Sequence, residues 1–321
     1  MRYRRLPHDW ILSTQEVMER TKHVRPPIIP KVHFPEEAED VWHVDSSPTA
    51  YVLEARHAER SILPYDPAHA VLAHILEDFG DEWGTKMMFH YRWQDKAHGG
   101  DMDEVGTLMH YPNVGPTDDE TLLRDARGFA DYQIPLWPVA GIEPRNVPLI
   151  EEMYRRILAA LDDLLREQEF FFGSRPSLGD FGFYGQMYQC MFNPASGDIM
   201  RASTLRVPAW LIIMDDASGV EGEWIASDAP LCSGVESLLR LTGAVYLPYL
   251  DATFKAFRAG EERLRIEVLD GYVHEQNPMK YHARCIQVIR EKVAVLGAKD
   301  QERLEGLLDK TDSWDFIKPG S

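Results

Sequence analysis

Ser177-Leu178-Gly179-Asp180 is the stretch on which the fold turns. A serine followed three residues later by an acid is a capping box, in which each side chain satisfies the backbone N–H that the other residue exposes at a helix start. Here Asp stands where Glu is more usual. The box predicts a buried helix running to about Phe192, and it speaks to folding rather than to catalysis. Helical spacing dominates on both sides of it. Val71, Ile75, Phe79, Trp83 and Met87 recur in four-residue steps along a helix over 68–94, and 149–168 forms another, so that the two pair in one helical body. Downstream, 208–217, 231–259, 281–295 and 300–308 read as helices. Between the second and third of these, charged and apolar residues alternate over 263–268 up to Asp270-Gly271, after which Tyr272-Val273-His274 resumes the pattern, a hairpin signature. Over 95–148 the Gly, Pro and Asp content rises, predicting broken helices and loops.

Composition narrows the function. At 321 residues with 44% hydrophobic residues, the chain is long for one domain and comfortable for two, with a substantial core. Its 34 Lys and Arg against 52 Asp and Glu give a formal net charge of −18, which repels phosphate backbones and anionic membrane surfaces. Nucleic acid is therefore not an expected partner. The apolar stretches, such as 209–214, are far shorter than the ~20 residues of a bilayer span. No apolar run follows Met1-Arg2-Tyr3-Arg4-Arg5, so no signal peptide is expected and the expected location is cytoplasmic. Cys190, Cys232 and Cys285 lie far apart without CxxC spacing, which fits small apolar fillers in a reducing compartment. The 12 histidines, among them His8, His33, His43, His57 and His98, are scattered without HxxxH spacing, so no metal is expected. The absence of GxSxG, P-loop and dinucleotide glycine motifs removes the common hydrolase, NTPase and dehydrogenase classes.

The first sixty residues differ from the rest. Runs at 8–12, 30–34 and 41–44 are strand-sized and bounded by Pro or acids, 15–22 reads as a helix capped by Ser13 or Thr14, and 48–57 as a helix with Pro in its first turn. Within this strand, helix, strand, strand, helix order lie Ile29-Pro30 and Asp45-Ser46-Ser47-Pro48. A cis proline heading a strand leaves the preceding residue's N–H and C=O free to pair with an extended peptide. Ser46 and Ser47 stand at a helix start, whose free N–H groups favour an anion. Taken alone, each motif reads sooner as a trans Pro opening an edge strand or as an ordinary Ser-Pro cap. Further on, His90 and Tyr91 sit in a dense aromatic and thioether cluster, most of which reads as helix core, and are its members with polar ends.

Taken together, Ile29-Pro30, Asp45-Ser46 and the Ser177–Asp180 box, with 170–175 leading into it, resemble a glutathione S-transferase. The resemblance is to the larger bacterial glutathione transferase-like proteins with an extended C-terminal helical region. It implies an α+β protein: a thioredoxin-like α/β domain over 1–59, then a mostly all-α domain over 60–321 with an added β-hairpin. It implies glutathione as cosubstrate, with Ile29 and Pro30 pairing with its cysteinyl part, Asp45 taking the γ-glutamyl ammonium and Ser46 the neighbouring carboxylate. It implies a small apolar electrophile as the second partner, reached by His90 and Tyr91, and a role in detoxification, with a homodimer as an assembly it allows. Aligned on the family, 1–7 matches the end of the first helix, so the strand and helix that carry the catalytic Ser, Tyr or Cys are expected to be absent. No catalytic residue is assigned, because the hydroxyls of Tyr3, Ser13 and Thr14 stand elsewhere. Two functions follow: conjugation of glutathione to electrophiles through a stabilised thiolate, or a non-catalytic binding or scaffold protein that has lost the chemistry.

Overall fold

The structure is a computed structural model describing residues 1–321, the side chain of Asn113 apart. Thr14 opens helix α1 (Gln15–Arg20) by accepting from the Val17 N–H at 3.4 Å. Strands β1 (Lys31–Val32) and β2 (His43–Val44) pair antiparallel, Lys31 opposite Val44, and lead into α2 (Ser46–Arg56). The strand expected over 8–12 does not form. A strand needs a neighbour for its N–H and C=O groups; here β1 and β2 pair only with each other, and Trp10, Ile11 and Leu12 are exposed.

Past this ribbon the chain is almost entirely helical. Asp66 caps α3 (Pro67–Asp78), accepting from the His69 N–H at 2.9 Å, and the helix passes through a π turn at Phe79–Trp83 into α4 (Gly84–Arg92). The broken stretch expected over 95–148 holds two full helices, α5 (Met102–Val114) and α6 (Asp119–Gln133), packed on each other. The aspartates that suggested loops are caps: Asp101 accepts from Asp103 and Glu104, and Asp118 from Thr121. Then come α7 (Val147–Glu167), α8 (Leu178–Phe192), α9 (Pro194–Ser203), which the sequence reading missed, and α10 (Val207–Asp216). Helix α11 (Ser233–Leu241) continues through a second π turn, Thr242–Tyr246, into α12 (Leu247–Ala259). The hairpin of β3 (Leu264–Val268) and β4 (Tyr272–Gln276) sets Ile266 opposite His274, and α13 (Lys280–Ala294), α14 (Ala298–Leu308) and α15 (Trp314–Ile317) follow.

Helix α8 is the centre of the body, packed by α3, α4, α9 and α10, while α7 packs on α4 and α11. Its start is held by the capping box. The Asp180 carboxylate accepts from the Ser177 N–H at 2.8 Å, the Ser177 hydroxyl at 2.6 Å and the Phe171 N–H at 3.1 Å. Along α7, Ile150, Met153, Tyr154, Ile157, Leu161 and Leu164 form the buried stripe, each large side chain contributing on the order of 1.5–3 kcal/mol. The hairpin is tied down by polar anchors: Lys86 Nζ donates to Gln276 Oε1 at 2.7 Å, and Asn146 exchanges bonds of 2.7 and 3.0 Å with the Glu275 backbone.

Helices α3 and α8 touch backbone to backbone. A Cβ on Gly182 would lie 2.5 Å from the Glu77 carbonyl oxygen and 2.6 Å from its Cα, and rigid backbone cannot yield as a side-chain tip does. Gly182→Ala should therefore cost about 1–3 kcal/mol in urea unfolding; an unchanged midpoint would contradict this packing.

Candidate functional site

A cavity of about 390 Å³ opens where the ribbon and α2 face α3, the π turn and α8. Pro30 and Val32 form its rim on the ribbon, Ser46, Thr49 and Leu53 its α2 side, and Glu77, Asp81, Phe181 and Gly182 the opposite wall. The Ile29–Pro30 bond is cis, and Pro30 directly precedes β1. At Asp45 the backbone adopts φ 74°, ψ 136°, a region that side-chain-bearing residues avoid at a cost of order 1–3 kcal/mol. This turn starts α2 at Ser46, so the first N–H groups of the helix lack intrahelical partners. The Tyr281 hydroxyl, from α13, donates to Asp45 Oδ2 at 2.9 Å.

The wall across from α2 is acidic. Ser47 donates to Glu77, Gln186 donates to Asp81 Oδ1 at 2.6 Å, and Ser46 reaches Asp81 Oδ2 at 3.5 Å. Behind them the Tyr246 hydroxyl donates to Asp78 Oδ2 at 2.6 Å, and His282 Nε2 stands 2.9 Å from Glu82 Oε2. Burial raises the pKa of all four carboxyls, that of Asp78 to about 6, and the neighbouring acids reinforce it. The three cysteines are buried and free, and burial pushes the Cys190 thiol up to about 12. None is a ready thiolate.

Of the residues singled out by sequence, Pro30 and Ser46 meet on this cavity. Asp45 sits beside Ser46 with its carboxylate engaged by Tyr281, and the Ile29 side chain is exposed. His90 and Tyr91 do not join them. Both are buried in the helical core on the α4 face toward α7, with His90 Nε2 3.3 Å from Glu151 and the Tyr91 ring 5.1 Å from Tyr154. Tyr3 lines the cavity, buried with its ring 6.1 Å from Phe181 and under the Arg60 guanidinium; Thr14 is spent as a cap. Thr49, Glu77, Asp81 and Tyr281 were missed. The pairs Glu77-Asp78 and Asp81-Glu82, set in an otherwise apolar helix, were the available signal for the acidic wall. Nothing local marks Tyr281, 236 positions from Asp45.

The helices behind the cavity decide the kinship. Residues 144–211 match the family model of the glutathione S-transferase C-terminal domain. This stretch is similar to a glutathione S-transferase C-terminal domain. The matched stretch runs from the approach to α7 into α10 and includes the Ser177–Asp180 box and all of α8. No curated protein and no solved structure matches the chain. Among the described residues, no group of three or more His, Cys, Asp and Glu is placed to hold a metal ion, and no helix is long and apolar enough to cross a membrane.

The buried acids make a pH prediction. The Asp78 pKa of about 6 lies above the ordinary 3.8, so the folded state keeps a proton that the unfolded chain releases, and this contribution to stability is lost as pH rises from about 4 to about 6. Asp78→Asn should remove that slope. Over this range the wild type should lose about 2–3 kcal/mol relative to the variant in urea titrations; parallel curves would refute it.

Proposed function

We propose that the chain is a glutathione S-transferase-like protein that binds glutathione in the cavity between Pro30, Ser46 and α8 and conjugates it to a small electrophile. The observation that carries this reading is that Pro30 and Ser46, on separate elements, border one cavity backed by the glutathione S-transferase helices. On this reading the ribbon and α2 do the work of a thioredoxin-like glutathione site. The peptide ahead of Pro30 pairs with the cysteinyl backbone as an added strand would. The γ-glutamyl carboxylate sits on the free N–H groups at the start of α2 with the Ser46 hydroxyl beside it, since the helix dipole and unpaired donors favour an anion. The Asp45 carboxylate takes the ammonium. Reaction then requires the thiol of glutathione to ionise near neutral pH and attack the electrophile's carbon, expelling its leaving group.

A second reading, glutathione binding without conjugation, is favoured by the hydroxyl inventory. Tyr3 is the phenol on the lining, and it is buried to 3% exposure against Phe181 and Arg60, which leaves little of it open to donate to a thiolate. Calorimetry with glutathione, run beside a conjugation assay with a halogenated aromatic, separates the two. Ser46→Ala should weaken glutathione binding by about 1–3 kcal/mol, because a charged carboxylate loses a donor. Unchanged affinity would remove Ser46 from the site. Binding without turnover would select the second reading, and no binding at millimolar glutathione would reject both.

A further inference from the structure

Thr49, Glu77 and Arg4 on the cavity wall each carry a buried polar atom without a hydrogen-bond partner in the chain; the charge of Arg4 is matched by Glu54, which leaves Thr49 and Glu77. Thr49 and Glu77 are 5% and 3% exposed, and neither Thr49 Oγ1 nor Glu77 Oε2 has a hydrogen-bond partner. Both belong to the lining. Buried polar atoms are nearly always paired, so two orphans on one cavity ask for a partner from outside. The Glu77 oxygen and the Thr49 hydroxyl can both accept, so one donor group between them satisfies the two together.

The charge around them says which kind of donor. Asp81 stands on the same wall, and neither it nor Glu77 has a lysine or arginine within ion-pair distance among the described residues. His74 Nδ1 is 3.8 Å from Glu77, but burial holds that imidazole neutral, with a pKa lowered to about 3. Lys292 lies over the Tyr51 ring at 3.7 Å. Arg4, also on the lining, has its charge matched by Glu54 at 2.8 Å and its Nη2 donates to the His57 and Glu59 carbonyls, while its Nε is unpartnered. Leu53, Ile62, Leu178 and Phe181 give the same cavity apolar lining beside the acids.

From this we infer that the cavity takes a second ligand bearing an ammonium group on an apolar body, with the ammonium between Glu77 and Thr49 and Asp81 beside it. The inference rests on the glutathione reading for its functional meaning: the electrophile is cationic rather than purely apolar. An ammonium supplies three donors and a full charge, satisfying both orphan atoms and favouring the ionised form of Glu77 that burial alone disfavours, which an apolar molecule cannot do. Glutathione's own ammonium is assigned to Asp45, so the two ligands occupy the cavity together.

The test is calorimetry on the full chain with 2-phenylethylammonium and its neutral isostere 2-phenylethanol, each with and without saturating glutathione. The ammonium should bind at least about tenfold more tightly than the alcohol. Glu77→Gln should erase most of that preference, and Thr49→Val, which keeps the side-chain shape, should lower ammonium affinity severalfold while leaving the alcohol unchanged. Glutathione should leave ammonium affinity unchanged. Equal affinities for the two probes would overturn the inference, as would variants with no selective effect on the ammonium. Displacement of the ammonium by glutathione would also overturn it, because Glu77 would then be holding glutathione's amine. If glutathione alone gives no heat while the ammonium binds as described, the glutathione reading fails and the ammonium site stands.

Discussion

The contact between α3 and α8 at Gly182 is the constraint on which the rest of the structure depends. With hydrogen alone at that position, the two backbones close to a separation that any side chain would prevent, and Glu77 is pressed against the axis of the central helix. That closeness has two effects. It seals the core formed by α3, α8 and α7, where Leu72, Leu76, Phe183, Met187 and Tyr154 are fully buried. It also leaves the acidic face of α3 nowhere to go except toward α2, so the floor of the cavity is acidic by construction.

Two π turns let the helices carry this load. One, at Phe79–Trp83, interrupts the long α3–α4 helix where acids and aromatics alternate; the other, at Thr242–Tyr246, interrupts α11–α12. They meet in the core, where the Tyr246 hydroxyl bonds to Asp78 and its ring lies 5.5 Å from Phe79. Such turns are often found at functional sites because the extra residue re-aims neighbouring side chains. Here Asp78 is turned inward to a tyrosine while Asp81 reaches the cavity. The strained backbone of Asp45 and the reach of Tyr281 from α13 bring the cavity's other edge under control of the distant C-terminal helices.

Much of the helical body was legible in sequence because its signals are local. The Ser177–Asp180 box, the apolar spacing of α7 and the alternation at Asp270-Gly271 each depend on a few neighbours, and each formed as read. The failures share a cause. The run at 8–12 looked like a strand, but a strand is defined by a partner and none lies beside it. The aspartates at 101 and 118 looked like loop residues, whereas as caps they start α5 and α6. At the site, Pro30 and Ser46 were legible as motifs, while the burial of His90 and Tyr91 follows from α7, α8 and α9 covering α4 on nearly every side, which the spacing within α4 does not record. Glu77 and Thr49 matter only through the space between α2 and α3, which no spacing in either helix records.

The measurement that bears most directly on the account is a crystal structure of the full chain grown with glutathione. The tripeptide should lie in the cavity, with its γ-glutamyl carboxylate on the first N–H groups of α2 beside Ser46, its cysteinyl backbone paired with the peptide preceding Pro30, and its ammonium within reach of Asp45. Glutathione bound elsewhere on the surface, or a cavity left to solvent at a concentration that occupies another site, would contradict it.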